Sequence, residues 1–156
     1  METKKKRLSW NCVEKYINTI STEVIARNFD VDCIISIGRG GMIPSRLLAD
    51  KLNVKEIYII QATNYVGFKK TASPKVEIFS HHIVGKNVLL VDDIMDSGDT
   101  VNAVLDRLQR NNANRIMATT LVVRHTVQTK PSMYGKEITN DDWIVFPWET
   151  SEFIGD

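Results

Sequence analysis

Apolar residues at Val13, Tyr16, Ile17, Ile20, Val24 and Ile25 recur at helical spacing behind Ser9, whose hydroxyl suits an N-cap, so the pattern predicts an amphipathic helix from Ser9 to about Asn28. Cys33-Ile34-Ile35-Ser36-Ile37 is a short, β-branched apolar run halted by Gly38-Arg39-Gly40-Gly41, which reads as a buried strand feeding a glycine loop. Pro44 fits the first turn of a second helix that carries Leu47, Leu48 and Leu52 at helical intervals. Glu56 to Ala62 predicts a second strand. From Asn64 to Pro74 the pattern dissolves, which predicts a long mobile loop. Val88 to Val91 is the most strand-like run in the chain. Asp99 to Gln109 is helical with Val101, Val104, Leu105 and Leu108 inward, and Ile116 to Val123 is a further strand. Parallel strands need crossover helices, so this alternation predicts an α/β fold: a mainly parallel twisted sheet with helices on both faces.

Composition narrows the picture. A chain of 156 residues fits one domain over 1–156, and its 43% hydrophobic and 25% charged residues match a globular protein. Twenty basic against 19 acidic side chains leave a formal charge of +1, which excludes a disordered chain and argues against a nucleic-acid partner. No apolar run is long enough to cross a bilayer, and Met1 to Arg7 leads into Ser9-Trp10-Asn11-Cys12 instead of an apolar signal core. A cytoplasmic protein without a membrane partner is therefore expected. Cys12 and Cys33 are too far apart for a CxxC pair and sit in apolar patterns, as buried thiols do. Lys4-Lys5-Lys6-Arg7 reads as a solvated tail. His81, His82 and His125 lack a third ligand at metal spacing and read as surface residues.

The chemistry concentrates in Val88-Leu89-Leu90-Val91-Asp92-Asp93-Ile94-Met95-Asp96-Ser97-Gly98-Asp99-Thr100. Ligands of open α/β sheets bind beyond the carboxyl ends of strands, where Asp92, Asp93 and Asp96 emerge. Asp96 to Thr100 opens a helix. Its backbone N–H groups, the Ser97 and Thr100 hydroxyls, and the close approach allowed by Gly98 make a cup for a phosphate monoester. A phosphate cup beside acceptor-only carboxylates suits a sugar phosphate, whose hydroxyls donate to the acids. A plain turn with a helix cap accounts for Asp96 to Gly98 alone and leaves the rest of the thirteen-residue order unexplained. Receiver domains also carry paired acids at a strand end, but after their first strand.

With these residues the sequence resembles the type I phosphoribosyltransferases, whose signature is four apolar residues, two acids, two apolar residues and a short phosphate loop. Ile34 to Pro44 looks like the pyrophosphate-binding loop of the bacterial xanthine-guanine branch, and Asp142-Trp143-Ile144-Val145-Phe146-Pro147-Trp148-Glu149 resembles that branch's purine-binding hood. The resemblance spans about Ser9 to Glu149. It implies transfer of phosphoribose from phosphoribosyl pyrophosphate to a 6-oxopurine (guanine, xanthine or hypoxanthine), with release of pyrophosphate and magnesium as cofactor.

The implied roles follow residue by residue. Asp92 and Asp93 would hold the ribose hydroxyls and assist in holding magnesium, with Glu149 as a further metal candidate. Asp96 would be the catalytic base, while Ser97, Gly98 and Thr100, with the backbone of Asp99, would hold the 5′-phosphate. Gly38, Arg39, Gly40 and Gly41 would wrap the pyrophosphate, and the resemblance implies a cis Gly38–Arg39 peptide. Tyr65 would sit on a lid over about 64–75. A hood formed mainly by about 124–156 would bring Trp143 against the purine face and the Ile144 carbonyl to a 2-amino group. Arg124 would stand where relatives carry a lysine that donates to the 6-oxygen. The resemblance also implies a homodimer or homotetramer. Two other readings are a non-catalytic phosphoribosyl-pyrophosphate-sensing regulator, which the neutral charge and intact Asp96 disfavour, and a phosphoribosyltransferase for another base, which the purine-type hood disfavours.

Overall fold

The computed structural model describes residues 4–66, 69–76 and 82–149. Its elements run β1 (Lys5–Arg7), α1 (Trp10–Ala26), β2 (Cys33–Ile37), α2 (Met42–Leu52), β3 (Glu56–Ile60), β4 (Ala62–Val66), β5 (Lys69–Val76), β6 (Asn87–Met95), α3 (Asp99–Arg110), β7 (Arg115–Arg124), β8 (Met133–Ile138) and β9 (Trp143–Val145).

Five strands form the central sheet in the order β3-β2-β6-β7-β8, and every neighbouring pair is parallel. A sheet covered on both faces has no solvated side, which is why its inner strands read as continuous apolar runs instead of alternating. Ile34, Leu89 and Leu121 turn to the face covered by α1 and α2, whereas Ile35, Leu90 and Ala118 turn to the face covered by α3. Val13, Ile17, Ile20 and Val24 form the buried stripe of α1, and the Ser9 hydroxyl accepts the Cys12 N–H at 3.2 Å as its cap. Ile25 falls off that stripe and is 63% exposed, so the apolar face is narrower than the residue types suggest. Cys33 is buried and Cys12 half-buried, both as free thiols.

Three expectations need correction. Lys5–Arg7 is not a solvated tail: it is a strand paired in parallel with β9, Lys5 opposite Trp143, Lys6 opposite Ile144 and Arg7 opposite Val145. All three residues are exposed, so no alternation betrays the strand. The segment after Ala62 is not a patternless loop but an antiparallel hairpin of β4 and β5, with a register shift between Thr63 and Tyr65. The strand expected over Glu56 to Ala62 accordingly ends at Ile60, where the chain leaves the sheet for the hairpin. Of the stretch expected to form the hood, β8 joins the edge of the central sheet and β9 pairs with β1, while residues 150–156 lie outside the described residues. His82 is exposed and stacks on Tyr58 with ring centroids 5.0 Å apart; His125 is exposed, and His81 lies outside the described residues.

Candidate active site

β6 is longer than its apolar run, so Asp92 and Asp93 belong to the strand itself and are held by its ladder. Asp92 Oδ1 accepts the Asp93 N–H at 2.9 Å, and Asp93 Oδ1 accepts the Ile94 N–H at 2.7 Å. Burial raises both carboxyls above the ordinary range, and the neighbouring Asp93 charge raises Asp92 further.

The glycine loop folds down onto these acids. Gly38 takes a left-handed φ of 50° and donates its N–H to the Ile60 carbonyl at 2.7 Å. Gly41 N–H then returns to the Ile37 carbonyl at 3.1 Å, closing a tight turn that opens α2. No peptide bond among the described residues is cis, so the Gly38–Arg39 bond is trans, contrary to the expectation. The left-handed glycine supplies the reversal instead. A Cβ on Gly40 would lie 2.5 Å from Asp93 Oδ2 and 2.7 Å from its Cγ, so the loop backbone rests on that carboxylate.

Past Met95 the chain bends through Asp96-Ser97-Gly98 into α3. Gly98 has φ 93°, the Ser97 hydroxyl accepts the Asp99 N–H at 3.3 Å, and α3 begins without a side-chain cap. The N–H groups that follow Asp99 in its first turn are thus available to an anion. Asp96 is exposed and forms an ion pair with Arg124 through the guanidinium Nε. Arg124 ends β7, and its fork continues to the Asn140 and Asp142 carbonyls, each at 3.0 Å. The arginine therefore ties the bend at Asp96 to the segment leading into β9. In the hood, Trp143 is 54% exposed, Ile144 is buried, and Trp148 stacks on Phe146 with centroids 4.8 Å apart. Glu149 Oε2 accepts the Phe146 N–H at 2.8 Å and so caps the turn between them.

Three cavities meet here. One is lined by Gly38, Arg39, Gly40, Gln61, Asp92 and Asp93. A second is lined by Asp92, Asp96, Ser97, Gly98 and Thr100. The third is lined by Asp93, Asp96, Arg124, Trp143, Ile144 and Glu149. Each pair of cavities meets at an acid: Asp92 belongs to the first two, Asp93 and Glu149 to the first and third, and Asp96 to the second and third. The geometry therefore suits one ligand with an anionic group at each of two ends and a flat group at a third, joined over the carboxylates. Asp99 is an exposed first residue of α3. Tyr65 lies on β4 opposite Lys70. Sequence reasoning missed Gln61 and Trp148 as cavity walls. The signal for Gln61 was its place at the carboxyl end of β3, the side where ligands of such sheets bind.

The raised acids have a measurable effect on folding. A carboxyl whose folded-state pKa exceeds its unfolded value costs stability once pH passes the unfolded value, and costs nothing where both states are protonated. Asp92→Asn is expected to stabilise the protein by about 1 kcal/mol at pH 7, with the gain fading below about pH 4. Urea unfolding at the two pH values reads this; equal effects at both would contradict the raised pKa.

The chain matches the family model described as phosphoribosyl transferase domain over residues 8–152. It is 29% identical to the xanthine-guanine phosphoribosyltransferase of Chromohalobacter salexigens over 91% of this chain and 82% of that protein. It is 32% identical to the hypoxanthine-guanine phosphoribosyltransferase of Schizosaccharomyces pombe over 83% of this chain and 82% of that protein. The crystal structure of a purine phosphoribosyltransferase from Pyrococcus horikoshii superposes with a TM-score of 0.79 at 28% identity, covering 94% of both chains.

Proposed function

This chain belongs to the phosphoribosyl transferase domain family, and from that premise we propose that it is a purine-salvage enzyme moving phosphoribose from phosphoribosyl pyrophosphate to a 6-oxopurine. The observation that carries the proposal is the convergence of three cavities on Asp92, Asp93 and Asp96. Pyrophosphate would lie against the Gly38 to Gly41 loop and Arg39, the 5′-phosphate against Ser97, Gly98, Thr100 and the Asp99 backbone, and the purine between Trp143 and Arg124. The ribose would then sit over the paired acids.

In the reaction the bond from ribose C1 to the pyrophosphate oxygen breaks and its electron pair leaves with pyrophosphate, while a purine ring nitrogen forms the new bond to C1. Asp92 and Asp93 would accept hydrogen bonds from the ribose hydroxyls, and their negative field suits the positive charge that develops on the ring. Asp96 would take or hold the proton of the purine nitrogen opposite the attacking one. Three of the five Arg124 N–H groups are engaged, to Asp96, Asn140 and Asp142, which leaves two for a 6-oxygen. The Ile144 carbonyl would accept from a 2-amino group. Tyr65, on the hairpin, would belong to the lid that excludes water.

Magnesium fits this donor set. No cluster of three or more metal-ligating side chains occurs among the described residues, so a dedicated protein cage is not what they build. Two adjacent carboxylates, each with one oxygen engaged by a backbone N–H, suit an ion held mainly by water and substrate oxygens. Asp92 and Asp93 would hold it, with Glu149 at the cavity edge as a further candidate. When bound, it would neutralise the leaving pyrophosphate. A homodimer or homotetramer and a cytoplasmic setting are part of this proposal.

The test is pyrophosphate release with phosphoribosyl pyrophosphate, magnesium and a panel of free bases. Guanine, xanthine or hypoxanthine is expected to be turned over, with adenine slower by a factor of at least about 10³. Adenine sets an amino donor against the guanidinium donors and leaves a buried polar group unpaired, the kind of mismatch binding sites reject strongly. Release with adenine at the guanine rate would remove Arg124 from base recognition, and no release with any base would overturn the proposal.

A further inference from the structure

The basic segment ahead of α1 has no part in the reaction as derived, yet among the described residues it is the sole strand partner of β9. Trp143 N–H donates to the Lys4 carbonyl at 2.8 Å, and Leu8 N–H donates to the Val145 carbonyl at 2.8 Å. In a parallel ladder a residue bonds to the two neighbours of its partner, so Lys6, opposite Ile144, directs its N–H and carbonyl to Trp143 and Val145. Backbone groups alternate along a strand. With Trp143 and Val145 bonded toward β1, the N–H and carbonyl of Ile144 point to the opposite edge, and Ile144 and Trp143 line the cavity shared with Asp96 and Arg124. The arrangement is anchored at its far end by Leu8, which is buried in the same core cluster as Ile144 and Phe146.

We propose that residues 4–8 are a positioning element for the base site: pairing with β9 sets the register and the outward face of Ile144, and so sets affinity for the purine without touching it. This rests on the reading of the Trp143 and Ile144 cavity as the purine pocket. The pairing itself is made of main-chain groups, and the Lys6 side chain is exposed. The phosphate loop and the glycine loop stand on β6, α3 and β2, none of which pairs with β1. The effect is therefore confined to the base.

Lys6→Pro removes the N–H that bonds toward β9 and is the probe. It is expected to raise the KM for guanine about tenfold or more, with kcat within about threefold and the affinity for phosphoribosyl pyrophosphate within about twofold. Lys6→Gln keeps the N–H, removes the charge, and should bring the guanine KM back to within about twofold of wild type. Amide hydrogen exchange, which needs no turnover, should speed up at residues 143–145 in Lys6→Pro and stay unchanged over residues 88–100. An unchanged guanine KM despite faster exchange at 143–145 would overturn the inference. So would a parallel loss of affinity for both substrates, or a Lys6→Gln variant as impaired as Lys6→Pro. Wild-type protein that used no 6-oxopurine would instead overturn the base-site reading on which the inference stands.

Discussion

Gly40→Ala is expected to lower kcat/KM for phosphoribosyl pyrophosphate by about two orders of magnitude while leaving the protein folded. The added methyl carbon would fall 2.5–2.7 Å from three atoms of the Asp93 carboxyl group, closer than any relaxed contact allows. Asp93 is buried and tied through Oδ1 to the Ile94 N–H, so the loop gives way more readily than the acid. A loop displaced by about 1 Å turns its N–H groups away from the pyrophosphate, and misplacement of that size is worth about 10²-fold in rate. The loop lies at the sheet's ligand edge, outside both core clusters, so the unfolding midpoint should hardly move. Steady-state kinetics with varied phosphoribosyl pyrophosphate and a thermal melt read the two effects together. A variant with near-wild-type kcat/KM would show that the close approach of Gly40 to Asp93 does not shape the pyrophosphate site.

Asp96→Asn should lower kcat with guanine by about two orders of magnitude and change phosphoribosyl-pyrophosphate affinity only modestly. The substitution is selective because of what surrounds it. The side-chain carbonyl of asparagine can still accept from Arg124 Nε, and the other two bonds of the fork, to Asn140 and Asp142, are untouched. The link between phosphate loop and hood therefore survives, whereas a group able to take a proton from the purine does not. Pre-steady-state measurement of nucleotide formation separates the chemical step from product release. Near-wild-type turnover would remove Asp96 from the mechanism; a rise in guanine KM with kcat unchanged would assign it to binding alone.

Local patterns carried much of this architecture. The inner strands and the helices α1, α2 and α3 follow from runs and spacings within a dozen residues, and the acids of β6 and the glycines after β2 stand out because their order has few other uses. What stayed hidden depended on partners distant in the chain. Lys5–Arg7 has no buried face, so its strand character exists only through β9. β4 and β5 are an antiparallel pair, and their mixed Thr, Tyr, Lys and Ser positions show neither strict alternation nor an apolar run. Arg124 could be placed at the base by analogy, but its bonds to Asp96 and to two hood carbonyls follow from the end of β7 meeting the loop before β9. No spacing rule connects those positions.

The pairing of β1 with β9 also orders events in time. Contacts among β2, β6 and β7 need only the middle of the chain, and each crossover between them closes over a modest stretch. The contact of Lys5 with Trp143 joins residues near opposite ends of the described chain, so it is among the most non-local in the molecule. Closing so large a loop is slow even though its entropic cost grows only logarithmically with length. During synthesis β1 emerges before the other described strands and waits for β9, the last of them to be made. The central sheet and the bend at Asp96 to Gly98 can thus assemble on a nascent chain, while the cavity lined by Arg124, Trp143 and Ile144 is completed only after translation has passed Val145.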